Sequence, residues 1–490
     1  MTTADIIDIG SRLELFVDDA LIETLGGRAS LRLHEPAIKE IALVTDRPWE
    51  GNMCGGYKTY FRDGDVFRMY YQAWHGEIST PPGGETPILR ESPLRIAYAE
   101  SDDGIHWRRS SLGLIEFDGS TENNIVFEGI GPDFKGIHGF APFKDAHPDC
   151  PPEARYKAVG ASQTWPTVLY AMQSPDGLHW SLMREEPIIT DGAFDSQNLA
   201  FWDAARGEYR AYVRDFRDGC RGIKTAVSQD FLHWTAPEWL IYTDSPEEQL
   251  YTNQIMPYYR APHILVGFPA RYVERPWSPS IEALPEVEHR RLRASASERY
   301  GTATSDGLFM AGRDGRTFKR WNEAFIRPGP RSAGSWAYGD CYQGWGLLET
   351  ASDLPGAPNE LSMFAVEGYW RGKANALRRY ALRIDGFISA NAPLKGGELV
   401  TRPLTFTGDR LALNIATSAG GSACVEIQSA DGKPLDGFRL DECYDIIGDT
   451  LDYTPRWHGG ADVRRLAGKP VRLRIALADA DVYSFRFVSG

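Results

Sequence analysis

Ser101-Asp-Asp-Gly-Ile-His-Trp107, Ser174-Pro-Asp-Gly-Leu-His-Trp180 and Ser228-Gln-Asp-Phe-Leu-His-Trp234 are three versions of one phrase, and Gly312-Arg-Asp-Gly-Arg-Thr-Phe318, with Trp321 behind it, is a looser fourth. In each, an apolar strand ends at the first residue, the Asp-Gly step makes a tight turn, and the chain returns with an aromatic that packs on the sheet. A phrase repeated at this spacing means that the fold is assembled from similar units. Its Ser, Asp and Trp residues are read as turn closers, so the phrase locates units rather than chemistry.

Upstream of each copy lies a pair of apolar stretches: 57–61 with 66–73, 140–143 with 155–160, 198–202 with 209–213, and 252–257 with 263–268. A fifth pair, 344–349 with 360–366, is followed by 377–384. Five units of about four strands predict an all-β fold, a five-bladed β-propeller over residues 1–384. Residues 274–299, rich in Pro and charge with Arg290, Arg291 and Arg293 clustered, are read as a long insertion in the fourth blade, a loop over the cavity or an oligomer contact. From 385 to 490 the texture changes to period-two segments such as Leu411-Ala-Leu-Asn-Ile-Ala416 and Val471-Arg-Leu-Arg-Ile-Ala476, which predict a C-terminal β-sandwich.

Composition narrows the partners. Against 53 Lys and Arg stand 67 Asp and Glu, a formal charge of −14, which argues against nucleic acid or an anionic membrane surface and makes a neutral or cationic substrate easier to accommodate. The N-terminal stretch carries neither a basic start nor a long apolar run, so the expectation is a soluble, cytoplasmic chain. Six cysteines (Cys54, Cys150, Cys220, Cys341, Cys424, Cys443) lie far apart without zinc-ligand spacing and are read as thiols. No metal and no organic cofactor is expected.

Propellers gather chemistry where the inner strands open onto one end of the axis. Cleaving a glycosidic bond there needs carboxylates converging from different blades. Blade one opens with Pro48-Trp-Glu-Gly-Asn52, where Trp49 offers a sugar platform beside Glu50. The earlier pair Asp18 and Asp19 is read as a structural turn. Blade two presents Gly136-Ile-His138, with His138 as a hydrogen-bonding group for sugar. Blade three begins Phe194-Asp-Ser-Gln-Asn198, a dense polar group ahead of an apolar strand, giving Asp195 as the leading acid with Asn198 and Arg214 as companions. Blade four offers Glu248, Asn253 and Arg271, and blade five offers Trp336, Asp340 and Glu367. Glu367 follows an apolar run beside Tyr369 and Trp370, an environment able to raise a carboxyl toward a general acid.

The repeated phrase, Leu15-Phe-Val-Asp-Asp-Ala-Leu-Ile-Glu23, the segment Asp46-Arg-Pro-Trp-Glu-Gly51 and Arg383-Ile-Asp-Gly-Phe387 together resemble the family-32-type glycosyl hydrolases, whose clan takes in families 32, 43 and 68. The resemblance implies a five-bladed propeller and an acidic triad. Glu50 matches its first slot as nucleophile or base, Asp195 a middle slot as base or transition-state stabiliser, and Glu367 or Asp340 the proton donor. The Asn-Asp-Pro-Asn-Gly and Arg-Asp-Pro signatures of fructosidases are absent. The expected function is a glycoside hydrolase acting on an oligosaccharide or small glycoside. Two readings stand beside it. Arg214, Arg217, Arg221 and Arg271 leave open a phosphorylase that holds phosphate, and a non-catalytic carbohydrate-binding propeller would need no catalysis.

Overall fold

The computed structural model describes residues 6–54, 56–84, 86–129, 137–162 and 166–490. Gly55 and Gly136, which flank two of the expected openings, lie outside the described residues. The chain divides into two compact units, one of Pro36–Tyr258 with Pro262–Ala381, the other of Met1–Glu35, Tyr259–Ala261 and Leu382–Gly490.

The larger unit is built from antiparallel meanders in a propeller-like arrangement. Four sheets have four strands each. The first runs Lys58–Asp63, Val66–Ala73, Arg95–Ser101 and Ile125–Phe127; the second His138–Lys144, Tyr156–Ala161, Leu169–Ser174 and Ser181–Leu182. The third runs Leu199–Asp203, Glu208–Arg217, Cys220–Ser228 and Glu238–Trp239. In the last, Leu348–Thr350, Glu360–Glu367 and Ala376–Arg383 are completed by Ala37–Val44, so a strand from early in the chain closes the edge left by a late one.

The expectation of five four-stranded blades is corrected at the fourth unit, which belongs to a seven-stranded sheet. Ile241–Thr243 adds in parallel beside Thr317–Ile326, and Gln249–Leu250 pairs with Ala270–Val273, occupying edges that a four-stranded meander would leave open. The expected insertion is helical: α1 (Pro279–Glu282), α2 (Val287–Ala296) and α3 (Glu298–Thr302). Ser278 caps the first of these through Ile281 N, and α2 is free of Gly and Pro with Leu292 and three arginines among its residues, a composition that favours helix.

Each repeated phrase joins the third strand of its sheet to the return. Ser101, Ser174 and Ser228 each accept from two backbone N–H groups of the turn, while Asp103, Asp176 and Asp230 each accept from two more and from a histidine ring. The turns therefore saturate themselves, as a closing device should. In the third copy Phe231 holds the left-handed conformation (φ 69°) that Gly104 and Gly177 take in the others, and its ring is fully buried in the sheet core. There the strain is offset by burial.

Side chains from four sheets meet on the axis of this unit. Gln197 Nε2 donates to Thr59 Oγ1 (3.1 Å), and Gln254 Nε2 donates to Gln197 Oε1 (2.7 Å) and to the Gln343 carbonyl (2.8 Å). Trp345 Nε1 donates to the Ile255 carbonyl (2.9 Å), and all three glutamines are buried.

In the other unit the lead-in strands, expected to belong with the first domain, pair with C-terminal ones. Ile7–Gly10 joins Leu404–Phe406, Glu14–Leu15 joins Val471–Val488, Ile22–Gly27 joins Gly397–Thr401, and Ser30–Leu33 joins Ile388–Ala392. Asp18 then stands in a turn and accepts from Ala20 N. The strands of this unit share one ten-stranded hydrogen-bonded sheet rather than two separate ones, dominated by Arg410–Ser429 paired with Val471–Val488 and broken in register between Thr417 and Ser422. Alternate residues such as Leu411, Leu413, Val425, Ile427, Leu473, Ile475, Phe485 and Phe487 fill its core.

Candidate active site

The first strand of the second sheet starts at His138, and the loop before the third sheet carries Asp195. His138 Nε2 lies 3.1 Å from Asp195 Oδ1, which makes the carboxylate its partner. The imidazole is held edge-on by Tyr57 and Trp74, with ring centroids 5.2 and 5.7 Å away. Close approach of the two segments depends on Gly139, whose φ is +65° and whose added Cβ would stand 2.2 Å from the Ser196 carbonyl oxygen.

Asp195 is fixed from behind. Asn198 donates to the Phe194 and Ser196 carbonyls and accepts from Arg214 N, so it shapes the loop that presents Asp195. Arg214 donates through Nε to the Ala193 carbonyl, spreads over the Tyr251 ring (5.2 Å), and places Nη2 3.8 Å from Asp195 Oδ2. The carboxylate sits among crowded groups yet keeps 66% of its side-chain surface open. Burial works against its charge, but the adjoining His138, with Arg214 and Arg299, holds it below the usual carboxylate range.

Glu91 completes the group, and sequence reasoning missed it. It ends Ile88–Glu91, one arm of a hairpin with Gly76–Ser79. It is solvent-exposed and within electrostatic reach of His138 and Asp195. Burial raises its carboxyl above the usual range, against the pull of His138 and with the push of Asp195. Its only sequence signal was an Arg-Glu-Ser-Pro stretch between blade strands, with no apolar run ahead of it to mark an inner opening. Around these residues stand Tyr57, Tyr251, Tyr338, Tyr342, Tyr369 and Trp370, one continuous aromatic cluster.

The other expected residues are placed elsewhere or otherwise employed. Glu50 is fully buried, accepting from Tyr71 Oη (2.5 Å), Arg109 Nη1 (2.8 Å) and Arg47 N (2.9 Å), and Trp49 donates to Asn124 Oδ1. Both Glu50 oxygens are thus committed inside the first sheet. Asn253 ties the Tyr212 carbonyl to Ile255 N. Glu248 accepts from Arg271 and Arg320, while Arg271 also grips Asp306 with two parallel hydrogen bonds; Glu248, Arg271, Asp306 and Trp336 line a cavity of about 1050 Å³. Asp340 and Glu367 line another, of about 890 Å³, where Glu367 accepts from Arg378. Asp340 is buried and accepts from Ala337 N and Tyr369 N; burial pushes its carboxyl up to about 7.

No family model matches the sequence, and no curated protein matches it. Among solved structures, the chain is similar to an N-acetylgalactosamine deacetylase from F. plautii at 12% identity, covering 72% of this chain and 94% of that one with a TM-score of 0.42. A fructofuranosidase from Schwanniomyces occidentalis aligns at 12% identity over 94% of this chain and 98% of that one, with a TM-score of 0.39. An endo-arabinase from Bacteroides thetaiotaomicron aligns at 8% identity over 70% and 98%, with a TM-score of 0.40.

Among the described residues there is no group of three or more His, Cys, Asp or Glu that could hold a metal ion, and no helix long and apolar enough to cross a membrane. All six cysteines are free thiols. The arrangement offers two carboxylates and an imidazole beside a cluster of aromatic rings.

Proposed function

We propose that the larger unit is a glycoside hydrolase in which Asp195 is the ionised carboxylate and Glu91 the protonated acid. The carrying observation is that Asp195, 3.1 Å from His138, is held below the ordinary range while Glu91, within electrostatic reach of both, is raised above it by burial. Two nearby carboxyls driven apart in this way divide naturally into an acid that protonates the leaving oxygen and a base or nucleophile. His138, wedged between Tyr57 and Trp74, places Nε2 3.1 Å from Asp195 Oδ1 and orients that carboxylate. The tyrosine and tryptophan rings supply faces against the C–H surface of a pyranose or furanose. This reading replaces Glu50 and Glu367 as reacting groups, because Arg109 and Arg378 already hold them.

At the level of architecture we read the seven-stranded sheet as the remaining blade of a five-bladed propeller, and the register break at Thr417 and Ser422 as the fold line of a C-terminal sandwich. Support for the first comes from the buried contacts of Gln254 and Ile255, which bring that sheet to the same axis as the others. The family-32-type resemblance accords with a carboxylate pair at one end of that axis.

The test is a panel of aryl glycosides and plant or algal oligosaccharides assayed with the wild type, Asp195→Asn and Glu91→Gln. Each variant should lower kcat/KM by about 10²–10⁴-fold. Loss of the alkaline limb of the pH–rate profile in Glu91→Gln would assign it as the acid. If no sugar is cleaved and none raises the melting temperature, the reading fails.

A further inference from the structure

Although the chain as a whole is acidic, cations gather beside Asp195. Arg214 and Arg221 both lie over the Tyr251 ring at 5.2 Å, and Arg221 also stacks on Tyr272 at 4.7 Å. Arg299 of α3 stacks on Tyr300 at 4.5 Å and is near enough to help keep Asp195 ionised. The carboxylates that face this group are Asp195 itself, Glu91, and Glu274, 3.9 Å from Arg221. Arg214 is engaged by Asp195 and the Ala193 carbonyl.

Of the other two arginines, Arg221 is incompletely used. Arg221 donates through Nη1 to Gln249, but its Nε is buried without a partner among the described residues. Arg299 donates through Nη2 to Tyr300 (3.3 Å) and faces the Tyr272 hydroxyl, which also meets Glu274. The Tyr342 hydroxyl, on a side chain 3% exposed, has no hydrogen-bond partner among the described residues, and the Tyr272 and Tyr342 rings lie 5.8 and 5.4 Å from that of Tyr251. Buried hydrogen-bonding groups of this kind, set among aromatic rings, are costly to leave unmet. A guanidinium can only donate, so what satisfies these groups must bring acceptors, and a charged acceptor is favoured where aromatic walls keep water out.

We propose that Arg221 and Arg299, with the hydroxyls of Tyr272 and Tyr342, form a subsite for the acidic group, carboxylate or sulfate, of a charged sugar residue bound next to Asp195. The inference rests on the glycoside-hydrolase reading for the rest of the ligand. It also revises the expectation drawn from net charge, since the field at a pocket is set by charges within about 8 Å at physiological ionic strength.

The experiment is calorimetric titration of the full chain with methyl uronides, sulfated methyl glycosides, their neutral counterparts and inorganic phosphate. An acidic glycoside should bind at least about tenfold tighter than its neutral counterpart. That advantage should shrink with added NaCl and disappear in Arg221→Gln and Arg299→Gln. The uronide and sulfate arms identify which acid is recognised. Tyr342→Phe and the salt series on wild type keep the test open if an arginine variant fails to fold. Equal affinity for acidic and neutral sugars overturns the subsite, as does an advantage that survives both arginine variants. Phosphate-dependent turnover that these variants abolish overturns it too, by giving the cations to a second substrate. Tight binding of an acidic sugar without cleavage rejects the hydrolase reading alone, and cleavage of neutral glycosides with no acidic preference rejects the subsite alone.

Discussion

Glu50 and Asp195 show how two acids in similar sequence settings part company on folding. Each follows an aromatic residue and precedes a polar stretch ahead of an apolar strand, so residue type and position rank them together. What separates them is a partner distant in sequence: Arg109 for Glu50, and His138 for Asp195. Glu50→Gln leaves the part-buried Arg109 guanidinium with Asp46 as its remaining counter-charge and should cost about 1.5–3 kcal/mol in denaturant unfolding, while the folded fraction keeps its kcat/KM. A variant that unfolds normally and loses activity would return Glu50 to the reacting centre. Asp195, Asn198 and Arg214 were readable as a group and His138 as a separate candidate, because each lies in or just ahead of an apolar strand. Glu91 was not, since its short hairpin sets only one cross-strand apolar pair, Ile78 and Leu89, on the core, too little for a strand pattern to show.

Elements decide how those residues are aimed. The first turn of the second sheet can approach the Asp195 loop only because Gly139 lacks a side chain, with backbone of Ser196 and Gln197 filling the space a Cβ would need. Gly139→Ala should therefore both lower the melting temperature and reduce kcat/KM, and a variant with normal activity would show that the spacing of His138 and Asp195 is immaterial. The helices α1 to α3 were legible as an insertion but not as helices, because proline and charge at 274–285 mask the short helical run behind them. Their anchor is Arg290, 5% exposed, which donates to the carbonyls of Pro285, Gly301 and Trp336. Arg290→Ala strands three acceptors at once. Limited proteolysis should then cut within 279–302 at least about tenfold faster than in wild type, and unchanged cleavage would mean that Arg293, stacked on Trp370 at 4.7 Å, holds the insert by itself.

For the molecule as a whole, the repeated phrase carried most of the architecture, since its turns close on themselves and need nothing from elsewhere. Its limit was the fourth unit, where strands borrowed from the preceding connection widen the sheet, and the lead-in, where pairing with residues 388–488 leaves no local trace. Stability should carry the mark of Asp340. Its folded value of about 7 lies above the unfolded value of about 3.9, so between these limits the folded chain binds the extra proton. Stability from this group is therefore greatest below about pH 4, falls as pH rises toward 7, and is flat beyond. Melting temperatures measured across that range should show this decline in wild type and a shallower one in Asp340→Asn; parallel curves would mean that Asp340 ionises freely. The glutamines that hydrogen-bond across the centre of the larger unit have a meaning for folding as well. Their bonds join residues 57, 89 and 138 positions apart, so none can form until separate sheets have come together. Such late contacts act on the rate of unfolding more than on the rate of folding.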